Sequence, residues 1–369
     1  MTAPMPCRTL PRTGERLSVI GLGMAYIDEA PEPEIEETLR LAVERGVNVF
    51  DLCGSTSKAV PAYGRALRPV RERVYVQHHF GAVYPKGEYG WSRDLAAVKK
   101  EHAARMAALG FDYADFGFLH CTDEPDDLDA LRSSGIWDWV EGLKRDRVVR
   151  HLGFSSHNPA VAAELVKTGA FDLCMFSINP AYDWTKGDEF ARGAASERAA
   201  FYRLCEKEGV GITVMKPFFG GQLLDAARSP FGKALTREQC IQYALDRPAV
   251  VSVLPGIRGK DDLLDLLAFL DAPAEARDYA VLGTMAPPEA AGVCTYCNHC
   301  KPCPRGIDIG MANRYYDLSL AGDPLAAGHY AKLARHASDC TACGHCEKRC
   351  PFHVPQISRM RKIADRFGS

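Results

Sequence analysis

Eight of the fourteen cysteines in the chain fall between Cys294 and Cys350, in two runs. The first, CTYCNHCKPCP, supplies Cys294, Cys297, Cys300 and Cys303, followed by Pro304. The second, CTACGHCEKRCP, supplies Cys340, Cys343, Cys346 and Cys350, followed by Pro351. Three thiolates on one tight turn can face three metal atoms of a cluster, and the fourth ligand must come from elsewhere. The second run fits the C-x2-C-x2-C-x3-C-P spacing of bacterial ferredoxins, in which the Cys before Pro ligates the other of two clusters. The spacing therefore predicts one [4Fe–4S] cluster on Cys294, Cys297, Cys300 and Cys350, and another on Cys340, Cys343, Cys346 and Cys303. Zinc is the main rival, because C-x2-C pairs also build tetrahedral sites. Two triplets, each followed by Cys-Pro, favour iron–sulfur. Disulfides rank last for clustered cysteines in a chain with no apolar leader.

A second set of reactive side chains is spread through the first 260 residues. Asp51, His79, His120, Ser155, Asn179, Lys216 and Arg258 each lie at the carboxyl end of a short apolar run. The run VYVQHHF, 74–80, ends in two adjacent histidines. Strand alternation sends His78 and His79 to opposite faces, so only one can serve a given pocket. A lone strand-end histidine is often only a satisfied hydrogen-bonding group, but an accidental set of this size is much harder to accept.

The elements that would position these groups are eight β-like runs: 17–23, 47–53, 74–79, 114–120, 149–157, 173–179, 211–217 and 250–257. Most gaps hold amphipathic helical stretches, among them EIEETLRLAVERG at 34–46 and LAAVKKEHAARMAALG at 95–110, whose last Gly suits a helix end. Apolar strands alternating with helices imply a parallel sheet covered by helices. Eight such units in roughly 260 residues predict a (β/α)8 barrel, an α/β fold with its chemistry at the carboxyl ends of the strands. A doubly wound sheet fits less well, since GLGMAY lacks the third glycine of a dinucleotide fingerprint. RTLPRTGERLSVI reads as a hairpin closing the bottom of the barrel. An Ala- and Pro-rich stretch at 270–292 marks the boundary between a barrel over 1–275 and a small, mostly helical ferredoxin-like domain over 276–369. There, two helices are expected to join near Gly322–Asp323–Pro324.

Charge is balanced at 45 Lys and Arg against 47 Asp and Glu, which gives no reason to expect nucleic acid or an anionic membrane as partner. No apolar run approaches a membrane span, and the start, MTAPMPCRTL, lacks a signal-type apolar core. A cytoplasmic location is expected.

The motifs NVFDLC, DYADFGFLHCTD, VVRHLGFSSHN and GITVMKPFFGGQLL resemble the aldo-keto reductase superfamily, in the subgroup with a C-terminal two-cluster tail. The resemblance implies a catalytic Asp51 and a His120 that binds and polarises a substrate carbonyl. Asn179 and Lys216 fall where relatives contact the nicotinamide ring or substrate, and Ser155 in the strand-five signature joins them on the cofactor side. VLPGIRGKDDLLDLL resembles the loop that holds the coenzyme phosphate, with Arg258 and Lys260 as its bases. Two family positions differ. The catalytic Tyr is replaced by Thr56 and the catalytic Lys by His79. A Thr hydroxyl is a poor general acid, whereas an imidazole beside Asp51 is a proton donor near neutral pH. Tyr63 is a second candidate for the acid, at the wrong offset from Asp51.

The leading expectation is an oxidoreductase. Two [4Fe–4S] clusters would exchange electrons with a small organic substrate in the barrel, supplied by ferredoxin or another donor. NAD(P)H is a further candidate cofactor, and nothing in the sequence speaks against a flavin. An electron-carrier scaffold and a redox-neutral lyase are the alternatives. Cys53 and Cys121 lie near the rim as candidate thiols, and Trp137, Trp139 and Trp184 either line the pocket or pack the core.

Overall fold

The computed structural model describes residues 4–54, 58–87, 89–184, 190–284 and 291–369, apart from the Lys86 side chain. Eight strands lie in one sheet in sequential order: β1 (Leu22–Gly23), β2 (Val49–Asp51), β3 (Tyr75–Phe80), β4 (Ala114–Leu119), β5 (Val149–Ser156), β6 (Leu173–Ser177), β7 (Gly211–Met215) and β8 (Val250–Val253). All seven neighbouring pairs are parallel. Parallel bridges Ile20–Val253 and Gly23–Gly256 bring the last strand back to the first. The sheet is therefore a barrel, as the alternation of apolar runs and helices predicts.

The expected first strand is divided. Arg16–Ser18 pairs antiparallel with Cys7–Thr9 as a hairpin, and only Leu22–Gly23 joins the barrel. Leu10 and Leu17 of this hairpin share one buried cluster with Val49, Phe116, Phe118 and Leu173, filling the bottom of the cylinder. The helices Glu32–Glu44 and Leu95–Leu109 form where their periodicity places them. The second is capped by Asp94, whose side chain accepts from Ala97 N, and ends at Gly110 with φ 66°.

Beyond the barrel, helices Ile309–Leu320 and Ala326–Tyr330 flank Gly322–Asp323–Pro324, and a final amphipathic helix, Gln356–Phe367, packs against them. This region seats firmly on the barrel. Arg247 donates from Nη2 to Thr295 O at 2.7 Å, Arg314 pairs with Glu206, and the Phe352 and Trp184 rings lie 5.3 Å apart. Gly283 allows the closest approach, because a Cβ there would collide with the Pro351 carbonyl. No helix among the described residues is long and apolar enough to cross a membrane.

Trp137, Trp139 and Trp184 belong to the packing. Trp137 stands edge-on to Phe171, Trp139 to Phe80, and Trp184 to Tyr243. Tyr63 is fully buried, and its hydroxyl donates to Met24 O at 3.1 Å and pairs with Asp28. It is a packing residue.

Candidate active site and cysteine cavity

Alternation along β3 separates its two histidines. His78 faces the helix layer, where its Nε2 meets His102 Nδ1 at 3.1 Å. His79 points into the barrel and stacks on Phe118 at 5.0 Å. Its Nε2 lies 2.7 Å from Asp51 Oδ1, and its Nδ1 lies 3.0 Å from His120 Nδ1. Gln77 donates a further hydrogen bond to Asp51 at 3.2 Å. Asp51, His79 and His120 are all buried, at 3%, 4% and 3% exposure, so water does not compete for these bonds. Ser155 Oγ, 3.5 Å from His120 Nδ1, accepts the Cys121 N–H at 2.9 Å and fixes the turn after β4.

Chemistry fixes the direction of these bonds. A carboxylate only accepts, so His79 Nε2 carries a hydrogen and donates it to Asp51. In the neutral pair His79 Nδ1 then accepts from His120 Nδ1–H. His120 Nε2 is left as a lone pair facing the mouth. There it meets Tyr89 OH at 2.6 Å. Burial, and then His79, push the His120 imidazole well below its usual range. Burial and the nearby Cys121 and Cys53 thiols push the Tyr89 phenol up, so Tyr89 remains a protonated donor.

Tyr89 comes from an element absent from the eight-run reading. After β3 the chain leaves through Gly81, at φ 102°, into a small hairpin of Ala82–Val83 and Gly90–Trp91. Arg93, just beyond it, donates to the carbonyls of His120 at 2.9 Å and Cys121 at 2.7 Å, and pairs with Asp127 at 2.8 Å. The hairpin thus supplies both a phenol at the site and a clamp on the rim. Its sequence signal was the pair Tyr84 and Tyr89 in a Gly- and Pro-containing stretch directly after a strand-end histidine.

A second chain lies across the mouth. Lys216 Nζ is 3.2 Å from His157 Nε2 and 3.6 Å from the centre of the Phe190 ring, and His157 Nδ1 meets Asp123 at 2.9 Å. Burial alone would raise Asp123, but its bonds from His157 outweigh that and hold the carboxyl below its usual range. Asn179, fully buried, donates to Lys216 O at 2.9 Å and accepts from Tyr182 N at 2.9 Å. It braces the Lys216 turn, where φ is 57°.

Arg258 and Lys260 stand apart from this group. Arg258 binds Asp262 at 2.9 Å and Lys260 binds Glu37 at 2.7 Å, both on the surface. The Cys53 thiol is pushed well up by burial and then by Asp51, and Cys121 up to about 11 by burial and then by Asp123. Both are neutral thiols at neutral pH. The donor atoms of Cys53, His79 and His120 lie within 4.8 Å of one another, as do those of Cys121, Asp123 and His157. In the first set the space is spanned by the His79–His120 bond, and in the second Lys216 sets a cation beside it. Thr56 lies outside the described residues.

At the other end of the chain, Cys294, Cys297, Cys300 and Cys350 line one small cavity, with Phe352, Val354 and Gly310 among its other walls. Cys350 comes from the second run and the other three from the first. Cys350 Sγ accepts a main-chain N–H from Val354 at 3.4 Å. Cys303, Cys340 and Cys346 pack on a small core with Ile307, Tyr330 and Met360, a core that also takes Cys300 from the first set. All fourteen cysteines are free thiols. Converging thiols with apolar walls and a main-chain N–H to sulfur fit an iron–sulfur group. His299, in the wall of the same cavity, hydrogen-bonds the Cys297 thiol and also contacts Asp278 at 2.6 Å.

Comparison with known proteins agrees with this architecture. Residues 19–239 match the Aldo/keto reductase family, and residues 293–355 match a 4Fe-4S dicluster domain. The chain belongs to the aldo/keto reductase family and is an oxidoreductase with a C-terminal dicluster domain. It is 23% identical over 259 residues to the uncharacterized oxidoreductase YqkF of Bacillus subtilis, covering 65% of this chain and 83% of that one. Among solved structures, the aldo-keto reductase AKR11C1 of Bacillus halodurans superposes with a TM-score of 0.60 at 20% identity, over 77% of this chain and 97% of its own. An aldo-keto reductase of Klebsiella pneumoniae in complex with NADPH gives 0.54 at 17% identity, over 78% and 96%.

Proposed function

We propose that this oxidoreductase meets a small organic substrate at His120 in the barrel mouth and draws electrons from two [4Fe–4S] clusters in a domain over 276–369, behind a barrel over 1–275. One cluster would be held by Cys294, Cys297, Cys300 and Cys350, the other by Cys340, Cys343, Cys346 and Cys303. Such clusters, when bound, supply single electrons at low potential.

The protein's own part is the proton, and the Asp51–His79–His120 chain is the observation that carries this reading. With the pair neutral, His120 Nε2 accepts. One added proton reverses the inner bond: His79 then donates from both nitrogens, and His120 Nε2–H points outward as a donor. Asp51 stabilises the added charge without taking the proton. When the outward Nε2–H passes to a substrate oxygen, the His79 Nδ1 proton moves across to His120 Nδ1, so the proton given up is the one His79 carried and both rings end neutral. His79 spends both nitrogens inside the chain and acts through His120. Tyr89, a weakened acid, holds the place of the substrate oxygen. The short helix Pro180–Trp184 links the two ends of the system, beginning beside Asn179 at the mouth and ending on Phe352 in the cysteine cavity wall.

The test uses anaerobic, dithionite-reduced protein and a panel of small carbonyl and carbon–heteroatom compounds. At least one compound should reoxidise the brown chromophore in the wild type and fail to do so in His120→Asn of equal iron content. Equal reoxidation in both would remove the barrel from the reaction. NADPH is the second electron source to examine, since the Klebsiella relative was crystallised with it. Arg258 and Lys260 give much of their charge to Asp262 and Glu37, which weakens any grip on a coenzyme phosphate. Calorimetry showing no saturation by about 1 mM would dismiss NADPH.

A further inference from the structure

The charge that balances over the whole chain does not balance along it. Residues 291–369 carry eleven Lys and Arg against six Asp and Glu, a net +5, while the preceding 290 carry 34 against 41, a net −7. The surface is more one-sided than the count. Of those six acids, Asp365 alone is exposed. Asp308 caps a helix at Met311 N, Asp317 takes Arg359 and Tyr296, Asp323 accepts Leu325 N, Asp339 accepts His336 N, and Glu347 accepts Ile357 N. The acids of this region face inward, onto its own backbone and bases.

The bases do the opposite. Arg305, Lys332, Arg335, Lys348 and Arg349 are all exposed, and none forms an ion pair with a described carboxylate. Their places follow the second cysteine set. Cys303, Cys340 and Cys346 share one small core, which Cys300 also joins, and Cys343 is the exposed cysteine of the eight. Arg305 follows Cys303 by two residues, on a turn beside the Arg335 side chain, where a Cβ added at Gly306 would lie 3.7 Å from Arg335 Cγ. Lys348 and Arg349 follow Cys346 on the helix His345–Arg349. Unpaired cations therefore gather around the set that lies nearest to solvent.

We propose that this basic face is the docking site of a small acidic ferredoxin, which delivers electrons at the second cysteine set. The proposal rests on the reading that this set holds a cluster. Complementary charge suits such a partner because it speeds encounter and orients it while leaving the complex short-lived. An extended polyanion such as DNA is disfavoured because the remaining 290 residues are acidic.

The test measures binding of an acidic bacterial ferredoxin to the holoprotein under anaerobic conditions by biolayer interferometry. Affinity should fall at least about tenfold between 50 and 300 mM NaCl. The double reversal Arg335→Glu/Lys348→Glu should weaken binding about tenfold or more at unchanged iron content. Arg73→Glu/Lys233→Glu, the same charge change on exposed barrel positions, should stay within about twofold. No binding at 50 mM NaCl overturns the proposal, as does equal weakening by both variants. A DNA duplex that binds as tightly, with the same sensitivity to Arg335→Glu/Lys348→Glu, also overturns it. If ferredoxin docks as expected but no compound reoxidises the reduced protein, the docking face stands and the proposed barrel reaction falls.

Discussion

At the scale of single residues, the proposed chemistry turns on His120, which among the described residues joins the buried proton chain to the mouth. His120→Asn keeps the side chain polar but removes the ionisable group. We expect kcat/KM on the true substrate to fall about 100-fold or more. His79→Gln should cost a comparable factor while leaving substrate affinity nearly unchanged. Tyr89→Phe should leave kcat within about threefold and shift KM, because the phenol is held too weakly acidic to serve as donor. A Tyr89→Phe loss as large as that of His120→Asn would make the phenol the acid and reverse the assignment. Asp51, His79 and His120 were legible in the sequence because each closes an apolar strand, and barrel geometry brings strand ends together. The Asp51–His79 contact was anticipated there, but the His79–His120 contact was not. That His79 turns its second nitrogen to His120 follows from rotamers and spacing that no motif encodes. Tyr89 and Arg93 escaped because they act from an insertion without period or strand length.

At the scale of elements, the same run of β3 does two jobs. His79 serves the mouth, while His78 and His102 form a buried neutral pair between strand and helix. Burial lowers His102 to about 4. Unfolded, it would titrate near the usual value of about 6.5. The unfolded chain therefore binds more protons between these limits, and stability falls as pH drops from about 6.5 toward 4. His102→Gln should flatten that acid slope in thermal unfolding followed from pH 7 to 5; an unchanged slope would assign it to other groups. The bottom hairpin is a separate stability element. Leu17 is fully buried, so Leu17→Ala should cost about 2–5 kcal/mol in chemical denaturation, without touching the mouth. Periodicity revealed the barrel and its helices, because hydrophobic alternation is the same force that packs them. The division of 17–23 between hairpin and barrel stayed hidden, since both halves are apolar and only the bend separates them. The final helix Gln356–Phe367 was likewise overshadowed by the cysteines before it.

At the scale of the whole molecule, cluster domain and barrel are one packed unit joined through Arg247, Arg314 and the Trp184–Phe352 contact. The cysteine spacing carried most of this in the sequence, because ligand geometry demands fixed intervals. The docking of that region on the barrel did not show, since it depends on Gly283 and scattered aromatic residues. Crossed ligation has its own test. Cys350→Ser should disturb the same electron paramagnetic resonance signal as Cys300→Ser, and Cys303→Ser the other one. Pairing by sequence run would contradict it.

The most direct measurement is the iron and acid-labile sulfide content of protein purified without oxygen, with its optical spectrum. We expect about eight of each per chain and a brown chromophore that bleaches on reduction. Stoichiometric zinc with only trace iron would show that the tail holds no electrons to give, and would leave the barrel without its proposed source.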